Sequence, residues 1–390
     1  YTSLISFPSA SVTLWETDGT PQGTKNLGQM PAGAEGFSHA VSLGNKLLFG
    51  SGPSLWVFDG TLQGTTRLGD FTPKQSGHGF ESPVVVGGKC YFFADSMLSS
   101  TNFCVTDGTQ AGSRILMGFT DYYLWTRRGR TGFLGNKVFL NASGGGKGSE
   151  LWESDGTVAG TRLLYDIEPG SGDSVPSYLT TLGQTILFSA SNSGSGTELW
   201  CTDGTAKGTR LHTNLAGAGV PGTAGADPKC LFNVSGITYF VADDGQGQAL
   251  WRTDGTGAGT IRVTTQVTPA FYSYKTSLGR SLLALGNLLF FPGTLAAAVP
   301  DAWVTDGTAA GTRRLLSGGL GFYDPVVFQG ECYWWGYPQT PQPPELYRSD
   351  GKKTTLVGRP GTMGMVARWQ YPVVLGDRIL FKGSFSQGDE

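Results

Sequence analysis

The sequence predicts an all-β protein: a single eight-bladed β-propeller whose blades each have four strands. Three observations lead to this prediction. An Asp-Gly-Thr motif recurs along the chain, each period also contains a second, apolar hairpin pattern, and the glycine content is high. Of the 390 residues, 61 are Gly and 20 are Pro, while 12% are aromatic. Many glycines together with many aromatic residues are typical of short strands joined by tight turns.

The recurring motif is an apolar segment that runs into a turn, as in Leu-Trp-Glu-Ser-Asp-Gly-Thr at residues 151–157. Successive turn aspartates are 41, 48, 48, 48, 51, 52 and 44 residues apart. A period of about 40–50 residues suits one four-stranded blade. The turn aspartates are Asp18, Asp59, Asp107, Asp155, Asp203, Asp254, Asp306 and Asp350.

The second pattern consists of two short apolar segments around a turn that usually contains glycine, as in Val-Ser-Leu-Gly-Asn-Lys-Leu-Leu-Phe at residues 41–49. This pattern predicts a β-hairpin, whose strands we call A and B. Strand C is the segment around Leu-Trp, and strand D follows the Asp-Gly-Thr turn. Strand is favoured over helix because the segments are short, rich in β-branched and aromatic residues, and bounded by glycines.

The order of the hairpins predicts how the propeller closes. The chain begins with a C–D hairpin and ends with an A–B hairpin, so seven blades are continuous and one is split between residues 372–390 and 14–27. Pairing of the two halves would cover the edges that an open ring exposes. All of 1–390 is therefore expected to be one domain, and residues 1–12 are surplus to the scheme.

Tryptophan recurs in strand C, and two interpretations are open. A ring of indoles could stack on carbohydrate, or each indole could fill the gap between two blades. Repetition at one equivalent position favours packing, because a buried aromatic side chain removes about 150–250 Å² from water. The tryptophans are Trp15, Trp56, Trp152, Trp200, Trp251 and Trp303, with Cys104 and Tyr347 as substitutes.

The Asp-Gly-Thr turns invite a calcium interpretation, but each copy has one carboxylate, and calcium takes six or more oxygen ligands. We expect instead that each aspartate accepts hydrogen bonds from nearby backbone N–H groups and that glycine supplies the positive φ. Basic residues begin strand D, where they are expected to protect an exposed edge. These are Lys25, Arg67, Arg114, Arg162, Arg210, Arg262, Arg313 and Arg314.

Charge and motif content exclude several classes of function. A net charge of −2 excludes nucleic-acid binding through bulk positive charge. No apolar run approaches the ~20 residues of a membrane-spanning helix, so no membrane insertion is expected. The three histidines lie far apart in the sequence, and the chain contains none of the common catalytic or phosphate-binding motifs. The sequence therefore predicts no metal site, no cofactor and no catalytic residue.

Across much of its length the chain resembles the ELWxSDGTxxGT repeats of bacterial secreted and cell-surface proteins. Residues 150–157 and 198–205 carry the resemblance most fully, whereas the copy at Asp350 lacks the second Gly-Thr pair. The resemblance implies an extracytoplasmic propeller, secreted or at the cell surface, and it brings no catalytic motif.

Residues that depart from the repeat are the candidates for ligand binding. In a propeller the D–A and B–C connections share one face, around the mouth of the central channel. Aromatic faces and arginine forks there suit sugars, carboxylates or peptides; the competing interpretation is that these aromatics pack long loops together. The candidates are Tyr122, Tyr123, Trp125, Arg127, Arg128, Arg130, Tyr272, Tyr274, Arg280, Tyr323, Asp324, Arg368, Trp369, Tyr371 and His78.

Three functions remain open from the sequence. The favoured one is a non-enzymatic binding or adhesion propeller that recognises a glycan, a peptide or a protein partner. The alternatives are a carbohydrate-active enzyme such as a polysaccharide lyase, and a purely structural module of a cell-surface assembly. Cys90 and Cys104, on adjoining strands of one blade, are also predicted to lie close enough for a disulfide.

Overall fold

The computed structural model describes residues 13–16, 22–23, 25–34, 39–72, 78–96, 100–119, 131–215, 225–264, 267–270, 282–295, 300–318, 320–337, 345–358, 369–375 and 378–383. At some strand positions, among them Trp15, His78, Trp369 and Tyr371, only the backbone is described. In the described residues the strands form six four-stranded sheets, one five-stranded sheet and two two-stranded sheets. Every strand pair in them whose register is determined is antiparallel, as in Leu134↔Lys137 and Leu250↔Thr264. The predicted fold class, an all-β chain of four-stranded antiparallel sheets, is therefore confirmed.

The chain divides into two compact units, of which the first contains residues 1–186, 190–192 and 202–209. Each full sheet in it follows the predicted order A-B-C-D. Its strands before residue 186 are β1 (Thr13–Glu16), β2 (Lys25–Gln29), β3 (Ala40–Leu43), β4 (Lys46–Ser51), β5 (Ser54–Phe58), β6 (Thr66–Asp70), β7 (His78–Val86), β8 (Lys89–Ser96), β9 (Ser100–Thr106), β10 (Arg114–Phe119), β11 (Thr131–Leu134), β12 (Lys137–Gly144), β13 (Lys147–Ser154), β14 (Arg162–Tyr165) and β15 (Ser177–Leu182).

The second unit contains residues 187–189, 193–201 and 210–390. The sheet of β15 to β18 contributes residues to both units. The remaining strands are β16 (Thr185–Asn192), β17 (Gly196–Thr202), β18 (Arg210–Thr213), β19 (Lys229–Val234), β20 (Ile237–Asp243), β21 (Gln248–Thr253), β22 (Ile261–Thr264), β23 (Thr268–Pro269), β24 (Leu283–Leu285), β25 (Leu288–Thr294), β26 (Asp301–Thr305), β27 (Arg313–Arg314), β28 (Tyr323–Phe328), β29 (Glu331–Gly336), β30 (Glu345–Ser349), β31 (Thr354–Gly358), β32 (Trp369–Leu375) and β33 (Arg378–Gly383).

The two halves of the predicted split blade are each present as a two-stranded sheet, β1–β2 and β32–β33. Their association into one blade, and with it a single domain over 1–390, stays a prediction. Residues 1–12 lie outside the described residues. The five-stranded sheet differs from the others because two short strands, β23 and β24, share the position of strand A beside β25.

The core consists of apolar clusters between successive sheets. Trp152 of β13 lies in a cluster with Tyr91 and Phe103 of the preceding sheet, and Trp303 of β26 lies in one with Tyr239 and Leu250. Trp56, Trp152, Trp200, Trp251 and Trp303 are 4–8% exposed. All five indoles are therefore core residues, and Trp56, Trp152 and Trp303 pack between sheets. The side chain of Trp15 lies outside the described residues.

Six C–D turns of the described residues share one hydrogen-bond network, whereas the carboxylate of Asp350 accepts from the N–H groups of Lys352 and Lys353. In the copy at Asp155, the carboxylate Oδ1 accepts bonds from the N–H of Thr157 at 2.8 Å and from its hydroxyl at 2.7 Å. The N–H of Gly160 donates to the Thr157 hydroxyl at 2.9 Å. The same two bonds to the carboxylate form at Asp59, Asp107, Asp203, Asp254 and Asp306.

The two glycines of each C–D turn have different roles. Gly156 has φ of +85°, a conformation that side chains with a Cβ rarely adopt. Gly160 is required for space, because a Cβ there would lie 2.1 Å from the Asp155 carboxylate. The predicted role of the aspartate, as an acceptor that closes the turn, is confirmed, and we call the bonds between Asp155 and Thr157 the clamp. The second glycine is needed because it lies directly against the Asp155 carboxylate.

The predicted disulfide between Cys90 and Cys104 is wrong. Both residues are buried, and neither forms a disulfide. Cys90 lies opposite Thr106, and Cys104 lies opposite Phe92, so the two cysteines are diagonal neighbours in the sheet and not a facing pair. Burial raises the pKa of the Cys90 thiol to about 12. Both cysteines belong to the apolar cluster between two sheets.

Candidate functional site

The B–C and D–A connections lie at the same end of the sheets, which we call the loop end. The connection after β14 shows how it is fixed there. The N–H groups of Ser174 and Val175 donate to the carbonyl of Ser149, at 3.0 and 2.9 Å, near the start of strand C. The carbonyl of Ser174 accepts from the N–H of Ser191, at 2.8 Å, near the end of strand B in the next sheet. One connection is thus tied to two successive sheets.

Two further D–A connections repeat this arrangement within the second unit. Their first bond reaches the start of strand C in the preceding sheet, and their second comes from the end of strand B in the following sheet. The bonds run from Asp227 N to Thr197 O (3.0 Å), from Asp243 N to Ala226 O (2.8 Å), from Gly321 N to Pro300 O (2.8 Å) and from Tyr337 N to Leu320 O (2.6 Å).

A buried glutamate reinforces the connection after β14. Glu150, which precedes Leu-Trp in strand C, is fully buried. Its carboxylate accepts bonds from the N–H groups of Ile167 (2.7 Å), Glu168 (3.2 Å) and Ser174 (3.2 Å), and from the Ser174 hydroxyl (2.7 Å). Burial raises the pKa of Glu150, while these hydrogen bonds act in the opposite direction. The carboxylate therefore fixes residues 167–174 from inside the protein.

The residue two positions before the tryptophan of strand C, or before the residue that replaces it, also forms polar contacts at the loop end in other sheets. Glu198 accepts from the N–H groups of Leu215, at 3.0 Å, and Ala226, at 3.1 Å. The Asn102 amide donates to the Phe71 carbonyl at 2.8 Å, whereas Asp301 forms an ion pair with Arg314 at 3.1 Å. Side chains at the start of strand C thus hold neighbouring backbone or a strand-D side chain at the loop end.

Strand A carries a distortion near the loop end in several sheets. The register of β7 shifts between Glu81 and Val84, that of β19 between Lys229 and Phe232, and that of β28 between Tyr323 and Val326. Within each shift one residue other than glycine has a positive φ, namely Ser82 (48°), Cys230 (57°) and Asp324 (45°). Such bulges redirect side chains and often accompany functional sites.

Tyr323 and Tyr337 bring a D–A and a B–C connection together in the second unit. Tyr323 begins β28 and is 39% exposed, and Tyr337 follows β29. Their rings meet edge to face, with centroids 5.1 Å apart. The ring of Tyr323 lies over Gly321, where a Cβ would be 2.1 Å away. The pair is therefore an aromatic surface in which Tyr323 is exposed and Tyr337 is partly buried.

The sequence candidates divide by how much of them the structure describes. Tyr323 and Asp324 are described in full, and both lie at the start of β28. His78, Trp369 and Tyr371 lie near the start of strand A in β7 and β32, with their side chains outside the described residues. The remaining candidates lie outside the described residues: Tyr122, Tyr123, Trp125, Arg127, Arg128, Arg130, Tyr272, Tyr274, Arg280 and Arg368.

The basic residues of strand D are engaged within the chain at several positions. Arg162 lies 2.8 Å from Glu153, Arg262 lies 3.1 Å from Asp244, and Arg67 pairs with Asp70. Arg262 and Asp244 are both largely buried, with side chains 18% and 14% exposed. The pairs of Arg162 and Arg262 link strand D to strand C and to the B–C connection of the same sheet, whereas Arg67 and Asp70 both lie on strand D.

Metal sites, membrane-spanning helices and histidines in unusual surroundings would indicate other classes of site in the described part of the chain. It contains no group of three or more His, Cys, Asp or Glu side chains placed to hold a metal ion. No described helix is long and apolar enough to cross a membrane. His212 is half-buried, its Nε2 lies 3.1 Å from the Thr260 hydroxyl, and burial lowers its pKa. It contacts the hydroxyl groups of a C–D turn.

Sequence reasoning missed two features of the loop end. Glu150 and Glu198 were visible as part of the repeat, yet a glutamate ahead of Leu-Trp does not reveal that it binds the backbone of a distant connection. Tyr337 was missed because it directly follows an apolar strand and resembles a core residue. A search for polar residues repeated at one buried strand position would have found the glutamates.

Comparisons with known proteins give similarity of structure at low sequence identity. The sequence matches no protein-family model, and no curated protein matches it. A structure from a mechanistic study of two prolyl endopeptidases aligns with 88% of this chain and 53% of its own, at 12% identity and a TM-score of 0.48. A puromycin-hydrolysing peptidase from Mycobacterium tuberculosis aligns with 89% of this chain and 57% of its own, at 12% identity and a TM-score of 0.46.

An acylaminoacyl peptidase from Pyrococcus horikoshii is similar over 85% of this chain and 54% of its own, at 12% identity and a TM-score of 0.38. The chain thus spans about half the length of these solved structures. At such identities and scores the likeness says nothing about activity.

Proposed function

We propose that this protein is a non-catalytic recognition propeller that binds a glycan through its loop end. The pair Tyr323–Tyr337, whose rings meet edge to face at the loop end, carries the proposal. A tyrosine ring offers an apolar face and a hydroxyl on a side chain with few rotatable bonds, so it can bind a sugar at a low cost in conformational entropy. Location outside the cytoplasm is part of the proposal and is supported by the resemblance to ELWxSDGTxxGT repeats.

The fixed backbone of the loop end supports the proposal. The D–A connections are bonded to two successive sheets, and Glu150 and Glu198 hold two of them from inside. Binding surfaces that are ordered before the ligand arrives lose less entropy on association. A loop end with different side chains on similarly fixed connections is therefore suited to specific recognition.

A glycan array with matched variants tests the proposal. Tyr323→Ala and Tyr337→Ala are expected to weaken binding of the glycan that the wild type selects by at least about tenfold, which corresponds to about 1.4 kcal/mol. Phe133→Ala is the control, because Phe133 is 46% exposed but lies beside an A–B turn, at the end of its sheet opposite the loop end. Trp125→Ala and Arg128→Ala extend the test to the sequence candidates.

Two results would contradict the proposal. The wild type could bind no glycan on the array, or Phe133→Ala could lower binding as much as Tyr323→Ala does. Thermal unfolding of each variant shows whether it is folded. Binding of peptides and not of glycans by the same array method would redirect the proposal to a peptide ligand.

A further inference from the structure

The tryptophans of strand C differ in one respect that their shared packing does not explain. The indole Nε1–H of Trp303 donates to the carbonyl of Gly293 at 3.1 Å. The indole N–H groups of Trp56, Trp152, Trp200 and Trp251 have no hydrogen-bond acceptor among the described residues. All of these side chains are more than nine-tenths buried. A buried donor without an acceptor is costly, and the indole nitrogen can only donate.

One strand-B position accounts for the difference. Gly293 lies opposite Asp301, two residues before the tryptophan. The matching residues are Ala142, opposite Glu150, and Ala242, opposite Ala249. A Cβ on Gly293 would lie 3.0 Å from Cδ1 and 3.3 Å from Nε1 of Trp303, closer than most Cβ contacts. The methyl groups of Ala142 and Ala242 therefore keep the indole away from the strand-B carbonyl.

We infer that Trp152 and Trp251 each bind an internal water molecule, which accepts the hydrogen bond that Trp303 gives to Gly293 directly. A water molecule can accept from the indole nitrogen and donate in turn to a backbone carbonyl that the indole does not reach directly. Buried waters occur at roughly one per 27 residues in globular proteins, at polar groups that lack a protein partner. The junctions that contain Trp152 and Trp251 are thus hydrated, whereas the junction at Trp303 is dry.

A crystal structure at about 1.6 Å resolution tests this inference directly. We expect density for a water within hydrogen-bond distance of Nε1 in Trp152 and Trp251, and none at Nε1 of Trp303. The variant Ala142→Gly is expected to remove the water at Trp152 and to bring its indole to the strand-B carbonyl, leaving Trp251 unchanged.

Nuclear magnetic resonance of protein with 15N-labelled tryptophan gives an independent readout. Cross-peaks to water are expected for the indole protons of Trp152 and Trp251 and not for that of Trp303. Gly293→Ala is a poorer variant, because its methyl would also lie 2.4 Å from Val267. A dry Trp152 in the wild type, or a water that persists unchanged in Ala142→Gly, would overturn the inference.

Discussion

The C–D turns and the D–A connections are stabilised in opposite ways. Each C–D turn is closed by its own residues, since Asp155, Thr157 and Gly160 lie within six positions of one another. The D–A connection after β14 is held by residues far from it in the sequence, because Glu150 is 17 positions from Ile167 and 24 from Ser174. The C–D turn is therefore a local structure, whereas the D–A connection becomes ordered only when strand C is in place in its sheet.

This difference explains where the sequence repeats and where it varies. A turn that closes itself needs the same few residues in every copy, so Asp, Gly and Thr recur. A connection whose backbone is fixed by a glutamate in strand C can change its own side chains without losing its conformation. The repeat therefore closes the C–D turns through their own residues, while its glutamates fix the backbone at the loop end and leave the side chains there free to vary.

The largest loss of stability is expected from a substitution at Gly160, where the C–D turn has no space for a side chain. Gly160→Ala places a Cβ 2.1 Å from the Asp155 carboxylate and must break the clamp, so we expect a loss of about 3 kcal/mol in the free energy of unfolding. Gly257→Ala is the matched control, because it lies in an equivalent turn with nothing within 4 Å. Denaturant unfolding compares the two. Equal stability of both variants would show that the turn can make room for a Cβ at position 160, contrary to this prediction.

A smaller loss of stability is expected when the hydrogen bonds from Glu150 to the D–A connection are weakened. Glu150→Gln replaces one acceptor oxygen by an amide that also donates, leaving buried N–H groups unpaired, at a cost of about 2 kcal/mol. Amide hydrogen exchange at Ile167, Glu168 and Ser174 should accelerate, while the Asp155 turn keeps its protection.

The control for Glu150→Gln is Glu331→Gln. Glu331 forms a partly exposed ion pair with Arg348 at 2.8 Å, and such pairs contribute about 0–1 kcal/mol. If Glu150→Gln left exchange at Ile167 and Ser174 unchanged, the connection would be ordered by its backbone bonds to Ser149 and Ser191 alone.

The strands could be predicted from the sequence because their signals are local. The Asp-Gly-Thr turns and the Leu-Gly-Asn-Lys hairpins each contain the residues that fix them, so sheet order and the roles of Asp155 and Trp152 followed directly. Strand register is not local, and Cys90 and Cys104 were therefore paired wrongly. Their neighbourhood in the sequence did not reveal the diagonal offset.

The candidate site was less predictable because it depends on contacts between distant segments. Tyr323 could be found because it interrupts the repeat ahead of strand A. Its partner Tyr337 follows a different strand, and only the pairing of Tyr323 with Trp335 brings the two rings together. Glu150 was seen as a repeated residue, but its acceptor role depends on how the chain returns over strand C.

The smallest effect is expected from the charge of the turn aspartate, and it depends on pH. The hydroxyl and N–H of Thr157 hold the pKa of Asp155 below its usual 3.8. Because the folded pKa is the lower one, the contribution of this charge is complete above pH 3.8 and is lost as pH falls through the folded pKa. Asp155→Asn keeps one acceptor oxygen and loses the charge, so it should destabilise the protein by less than about 1 kcal/mol near pH 6. The stability difference between wild type and variant, measured by urea unfolding from pH 6 to pH 2.5, should shrink toward the acid end. A difference that stays constant with pH would mean that the clamp depends on the shape of the side chain and not on its charge.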